Sequence, residues 1–132
     1  MLNLDYKCME YGQKISKVSD SNLENNLRKA LGVLQEDGVY AMFLWLEKNA
    51  GSVRKELIEF FNKKDEKTNA KLSRYFLNGD KEFRQDFDEF CNDLQEVAKD
   101  IDKLLFIKKL LERTLTYALY HTKVGEGNGE QK

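Results

Sequence analysis

Residues 39–46 read Val39-Tyr40-Ala41-Met42-Phe43-Leu44-Trp45-Leu46, eight consecutive apolar or aromatic positions that include the one tryptophan of the chain. Gly38 stands in front of the run and Asn49-Ala50-Gly51 closes it. No side of the segment is polar in any regular conformation, so the sequence predicts burial all round. A run this short suits a buried strand or a buried helix, and periodicity alone does not separate them. Glu47 and Lys48 continue it with good helix formers, and the segments on either side have helical spacing. A lone strand would find nothing to pair with, leaving its backbone donors unsatisfied. The reading is therefore a central buried helix over 39–48, with the rest of the chain arranged to cover it. On this reading Trp45→Ala costs about 3–5 kcal/mol through the cavity it opens.

Working outward, Leu4, Cys8, Tyr11, Ile15 and Val18 repeat at helical intervals, which predicts a first amphipathic helix over roughly 4–18. Ser21 and Glu24 have the spacing of a capping box. The helix they open would bury Leu23, Leu27, Ala30, Leu31 and Leu34 and stop at Gly38, a left-handed cap. Beyond the central run, Ser52 is placed as the cap of a helix carrying Val53, Leu57, Phe60 and Phe61 on one face. Asn62 to Asn69 is a charged link without apolar residues. A short helix with Leu72, Tyr75 and Phe76 then ends at Asn78-Gly79.

Asp80 is placed as the cap of the longest amphipathic run: Phe83, Phe87, Phe90, Cys91, Leu94, Val97, Ala98 and Ile101. After a break at Asp100 to Asp102, a last helix continues to about Thr122. The sum is an all-α, single-domain bundle of about six to seven helices with no sheet. The helical domain covers 1–123, and 124–132, with glycines at 125, 127 and 129, forms a disordered tail.

The totals agree with that class. The 132 residues suffice for one core, and the absence of proline fits a nearly all-helical protein. The apolar run is too short to cross a bilayer. The amino end has no apolar core of a signal peptide, since Asp5, Lys7, Glu10, Lys14 and Lys17 interrupt it. A cytoplasmic protein is expected, with Cys8 and Cys91 as reduced, buried hydrophobes, although a disulfide between them is compatible with sequence alone. The net charge of −1 conceals polarity. Residues 80–102 are strongly acidic, whereas 103–123 and 52–75 are basic. Acidic and basic helices could lie side by side, or each could face a partner.

Catalytic chemistry finds little support. His121 is the one histidine, and a Cys–His pair would need it to meet a thiol on an apolar stripe. The glycines of 125–129 follow a helix rather than lead into one, so they form no phosphate loop. Scattered cysteines and one histidine do not suit zinc. Asp86, Glu89 and Asp93 share a helical face, but acids from facing helices and further histidines would be needed to hold a metal. A non-enzymatic protein is expected, with no cofactor, metal or small-molecule substrate.

Two binding surfaces remain. Lys108, Lys109 and Arg113 lie within about a turn of one another, and Lys123 extends them. Tyr117 and Tyr120 fall among these cations, an interleaving that suits phosphate pairing and base stacking, or simply a basic helix beside an acidic one. Arg28 and Lys29 form a smaller basic pair. The second surface is the acidic set Asp86, Asp88, Glu89, Asp93 and Glu96, which could dock a basic protein partner. A helical adaptor using that acidic face, without any nucleic-acid role, is the alternative to an RNA-contacting subunit.

The order and punctuation of these helices resemble the small all-helical subunit of type III-B CRISPR (Cmr) effector complexes, over nearly the whole chain from Asp5 to Lys123. The similarity rests on Tyr11-Gly12-Gln13-Lys14-Ile15 through Val18, and on Leu27-Arg28-Lys29-Ala30. It extends to Glu36-Asp37-Gly38 leading into Val39–Leu46, and to Leu111-Glu112-Arg113-Thr114-Leu115 through Ala118-Leu119 and Lys123. The chain departs where that family often carries a proline in its second helix, reading Lys29-Ala30-Leu31-Gly32 instead. The resemblance implies a non-catalytic subunit of an RNA-guided antiviral ribonucleoprotein. Its partners would be copies of itself, backbone subunits, and guide or target RNA held weakly. Arg28, Lys29, Lys108, Lys109, Arg113 and Lys123 are the basic positions on the matching helices.

Overall fold

Helix is the outcome throughout, and its boundaries follow local chemistry. In a computed structural model, which describes residues 4–79 and 81–130 and side chains through Gly125, seven helices and no strand are found among the described residues. They are α1 (Leu4–Ile15), α2 (Leu23–Asp37), α3 (Val39–Asn49), α4 (Gly51–Asn62), α5 (Ser73–Phe76), α6 (Phe87–Ala98) and α7 (Ile101–Glu130). Gly38 separates α2 from α3 as expected. At φ 97° it occupies a region that glycine adopts without steric cost, and its N–H donates to the carbonyls of Val33 and Leu34. The break at 100–102 is also present. Asp100 Oδ1 accepts from the N–H groups of Asp102 (3.0 Å) and Lys103 (3.3 Å), satisfying orphan donors at the start of α7. Past Thr122, where the sequence reading ends it, α7 runs on to Glu130. The side chains of 126–132, within the expected tail, lie outside the described residues.

Other expected caps are not formed. Ser21 makes no capping box: Asn22 precedes α2 without a side-chain cap bond, and the Asn22 N–H donates to Asp20 Oδ1 at 2.9 Å. α4 begins at Gly51, one residue ahead of Ser52, behind an uncapped Ala50. Asp80 lies outside the described residues, but the helix assigned to it begins only at Phe87. There Asp86 is the cap, its carboxylate accepting from the Glu89 N–H. The reason is visible in residues 81–86. Phe83 is drawn into the core by a reciprocal pair with Asn62, whose Nδ2 donates to the Phe83 carbonyl (2.8 Å) and whose Oδ1 accepts its N–H (2.9 Å). Those bonds hold the segment out of the helical ladder that the spacing of Phe83 and Phe87 imitates.

Within the bundle α1 lies along α7, α7 also meets α2, α3 and α6, and α3 meets α2, α4 and α6. The expectation that 39–48 is buried on every side holds for one face only. Val39, Met42, Phe43 and Leu46 are buried, but Tyr40 is 38% and Leu44 46% exposed, and Trp45 is only half-buried. Four neighbouring helices cover the inward stripe, whereas the outer one is met only at its edge, where Gln95 of α6 donates to the Tyr40 hydroxyl at 3.4 Å. The 3–5 kcal/mol expected for Trp45→Ala is therefore too large, because a half-buried ring leaves less of a cavity. Ala98 and Ile101, expected in the core, are exposed, Ile101 at 63%; they are the last residue of α6 and the first of α7, on either side of the break.

The fully enclosed centre is instead an aromatic cluster. Phe61 lies 4.9 Å from Phe83, 5.6 Å from Phe60, 6.2 Å from Phe76 and 6.4 Å from Phe43, centroid to centroid. Phe90 closes on Phe43 at 4.7 Å, edge to face. Arg54, itself 4% exposed, fastens the wall of this cluster by donating to Glu47 (2.9 Å) and to the Gln85 carbonyl (3.0 Å). The ion pair and the carbonyl together compensate a guanidinium that would be costly to bury alone.

Candidate functional site

The basic candidates divide into engaged and available cations. On α7 the buried positions Ile107, Leu110, Leu111, Thr114, Leu115 and Ala118 define the inner face. At 100° per residue, Leu105, Lys109, Arg113, Thr116 and Tyr120 share the outer side. Leu105 is 52% and Tyr120 63% exposed, and Lys123 Nζ stands 5.9 Å from the Tyr120 ring centroid. Lys109 is exposed, whereas Lys108 turns to the flank and is half-buried.

Arg113 is exposed but paired within the chain. Its guanidinium donates to Asp5 Oδ1 at 2.7 Å, and the Tyr117 hydroxyl donates to the same oxygen at 3.0 Å. The Arg113 and Tyr117 hydrogen bonds hold the Asp5 carboxyl below its ordinary value, and the same carboxylate holds the Tyr117 hydroxyl above its own. Tyr117 is thus a tie between α1 and α7 rather than a stacking platform. On α2, Arg28 is exposed and contacts Glu24 at 3.7 Å, and Lys29 is exposed. The basic stretch 52–75 is not one patch either, since Arg54 is buried and Lys71 pairs with Glu82 at 2.7 Å.

The acidic candidates are largely answered from within. Arg84, which the sequence reading places on the acidic helix itself, sits instead on the extended lead-in and reaches over α6. It donates to Asp93 (2.9 Å) and Glu89 (3.1 Å), and its own N–H also donates to Asp93. Asp86 is spent as a cap, and Glu96 pairs with Lys99 at 3.0 Å. Asp88 remains exposed. No signal in the spacing could have revealed the Arg84 collar, because it depends on 81–86 being non-helical.

Among the described residues no cluster of three or more metal-ligating side chains is found. His121 is exposed on α7 while both cysteines are buried and free. The Cys8 thiol makes a long contact (3.8 Å) to the Leu110 carbonyl, and burial pushes its pKa up, away from nucleophilic character. No helix of the described residues is long and apolar enough to cross a membrane.

No family model, curated protein or solved structure matches this chain.

One charged group escaped the sequence reading altogether. Lys7 belongs to the inner face of α1 and is 4% exposed, its ammonium donating to the Lys63 carbonyl at 3.3 Å. Desolvation lowers its pKa below the ordinary 10.5, against the pull of Asp65 and Glu10 and with the push of Lys63 and Lys14. Between the lowered value and 10.5 the unfolded chain binds more protons than the folded one, so stability rises with pH across that window. Urea midpoints of wild type and Lys7→Met, compared at matched pH, should show this rise in wild type alone. Parallel curves would mean that the Lys7 amine is hydrated in the folded state.

Proposed function

We propose that this chain is a non-catalytic structural subunit of an RNA-guided ribonucleoprotein of the type III-B CRISPR class, touching RNA backbone weakly through the outer face of α7. The observation that carries the RNA contact is the exposed line of Lys109, Tyr120 and Lys123 on that helix. Exposed cations beside an exposed ring offer phosphate neutralisation and base stacking without reading sequence. The resemblance described above supplies the assembly: copies of this chain, backbone subunits, and guide or target RNA, in the cytoplasm. Arg84 lowers the net charge that the acidic helix could offer a basic partner, which makes the adaptor reading the weaker one.

Reversing Lys108, Lys109 and Arg113 together should lower RNA retention by the assembled complex, most at low salt. The burial pattern sharpens this. Lys109→Glu with Lys123→Glu should account for most of the loss, because Lys108 is on the flank and Arg113 is tied to Asp5. Each phosphate contact removed should reduce the slope of log affinity against log salt by about 0.7. An unchanged slope in the double variant would take α7 out of the RNA path.

A further inference from the structure

We propose that the cavity between α1 and the loop that follows α4 is a binding site for a small phosphomonoester, with Lys7 as its anchoring cation. The cavity holds about 470 Å³, within the range of small-molecule sites, and is lined by Lys7, Lys63, Lys64 and Lys67. Lys7 is the decisive feature. An ammonium has three N–H donors, and the Lys63 carbonyl takes one. No carboxylate among the described residues forms an ion pair with it, although it is almost wholly buried. Asp65 and Glu10 attract this ammonium only from beyond ion-pair distance, so its burial is incompletely compensated, and an anion entering the cavity would add a nearer counter-charge.

Glu10, Asp65 and Glu66 also line the cavity and oppose an anion. Asp65 is turned to its own loop: its Oδ2 accepts from the Thr68 N–H (3.0 Å) and hydroxyl (2.8 Å). Glu10 and Glu66 are exposed, as are Lys63, Lys64 and Lys67, so solvent screens all five more than it screens the buried Lys7. Four lysines against three acids leave an excess of positive charge. A phosphomonoester fits this better than a carboxylate, because it carries more charge and more acceptor oxygens for several ammonium groups. The volume exceeds a bare ion and leaves room for the esterified group. The loop is also fixed in advance: the Asp65 N–H donates to the Ala70 carbonyl and the Asn69 N–H to the Asp65 carbonyl, both at 2.8 Å.

The site uses no residue of α7, so it stands or falls apart from RNA retention. The test is a calorimetric titration of the full chain with ribose 5-phosphate, ribose and inorganic phosphate. Ribose 5-phosphate should bind, ribose should not, and inorganic phosphate should bind more weakly than the ester. Lys7→Met should weaken the ester by about tenfold or more, the loss of a charge-assisted contact. The exposed pair Lys64→Glu and Lys67→Glu, which leaves the core untouched, should also abolish measurable binding if Lys7→Met fails to fold. No heat with ribose 5-phosphate, equal heats with ribose, or phosphate binding as tightly as its ester would each overturn the proposal, as would an affinity unmoved by the paired substitution.

Discussion

Phe61→Ala is expected to cost about 3–5 kcal/mol, a large share of the roughly 5–15 kcal/mol that holds a domain of this kind folded. Phe61 is fully buried and its ring meets those of Phe43, Phe60, Phe76 and Phe83. These rings come from α3, α4, α5 and the 81–86 segment, each anchored by its own contacts. None can swing inward to refill the space without giving up packing elsewhere, so the cavity persists and the cost stays near the top of the usual range. The urea midpoint should fall with an unchanged m-value. Trp45→Ala, measured beside it, should lose clearly less. A Phe61→Ala variant that loses under about 1 kcal/mol would mean that the site collapses freely and that this cluster is not the core.

Gly12→Ala should also destabilise, although helix propensity alone points the other way. In an exposed helix interior, replacing glycine by alanine gains about 1 kcal/mol. Here a Cβ would stand 2.6 Å from the Tyr117 Cβ, 3.1 Å from the Ala118 nitrogen and 3.1 Å from the Thr114 carbonyl oxygen. Two of those three atoms are backbone of α7, so relief requires the helices to part. Separation would disturb the Asp5 bonds to Arg113 and Tyr117, which span the same two helices. Overpacking of this kind costs about 1–3 kcal/mol and occasionally more, so the expected balance is a loss of about 1–2 kcal/mol. Gly32→Ala is the control, since nothing lies within 4 Å of its added Cβ. It should gain the propensity term. Stabilisation by both substitutions would show that α1 and α7 are not held at the described distance.

How much could be read without coordinates depended on whether a feature was local. Gly38 and the Asp100 break are decided by a few neighbouring backbone groups, and each ends or begins a helix where the residues say it should, whereas α5 stops at Phe76, ahead of the expected Asn78-Gly79. The start of α6 was misread because Phe83 and Phe87 are four apart, a spacing that a helix and an extended lead-in can share. Asn62, far off in the chain, decides between them. The candidate surfaces suffered in the same way. Arg113 and the acids Glu89 and Asp93 look like free charges in the sequence, yet Asp5 and Arg84 claim them. Lys7 drew no role from the sequence, because nothing local reports that the Lys63 loop folds over it.

By itself, the order of residues determined that this protein is all-helical, where most of its helices stop, and which stripe of each is apolar. Those properties depend on side-chain periodicity and on backbone donors a few residues apart. The tertiary structure alone decided how far Val39–Leu46 is covered, that Gly12 sits against the backbone of α7, which charges remain available to a partner, and that a buried ammonium opens on a cavity. Such outcomes depend on which distant segments arrive at the same place, and a surface or a pocket exists only once they have.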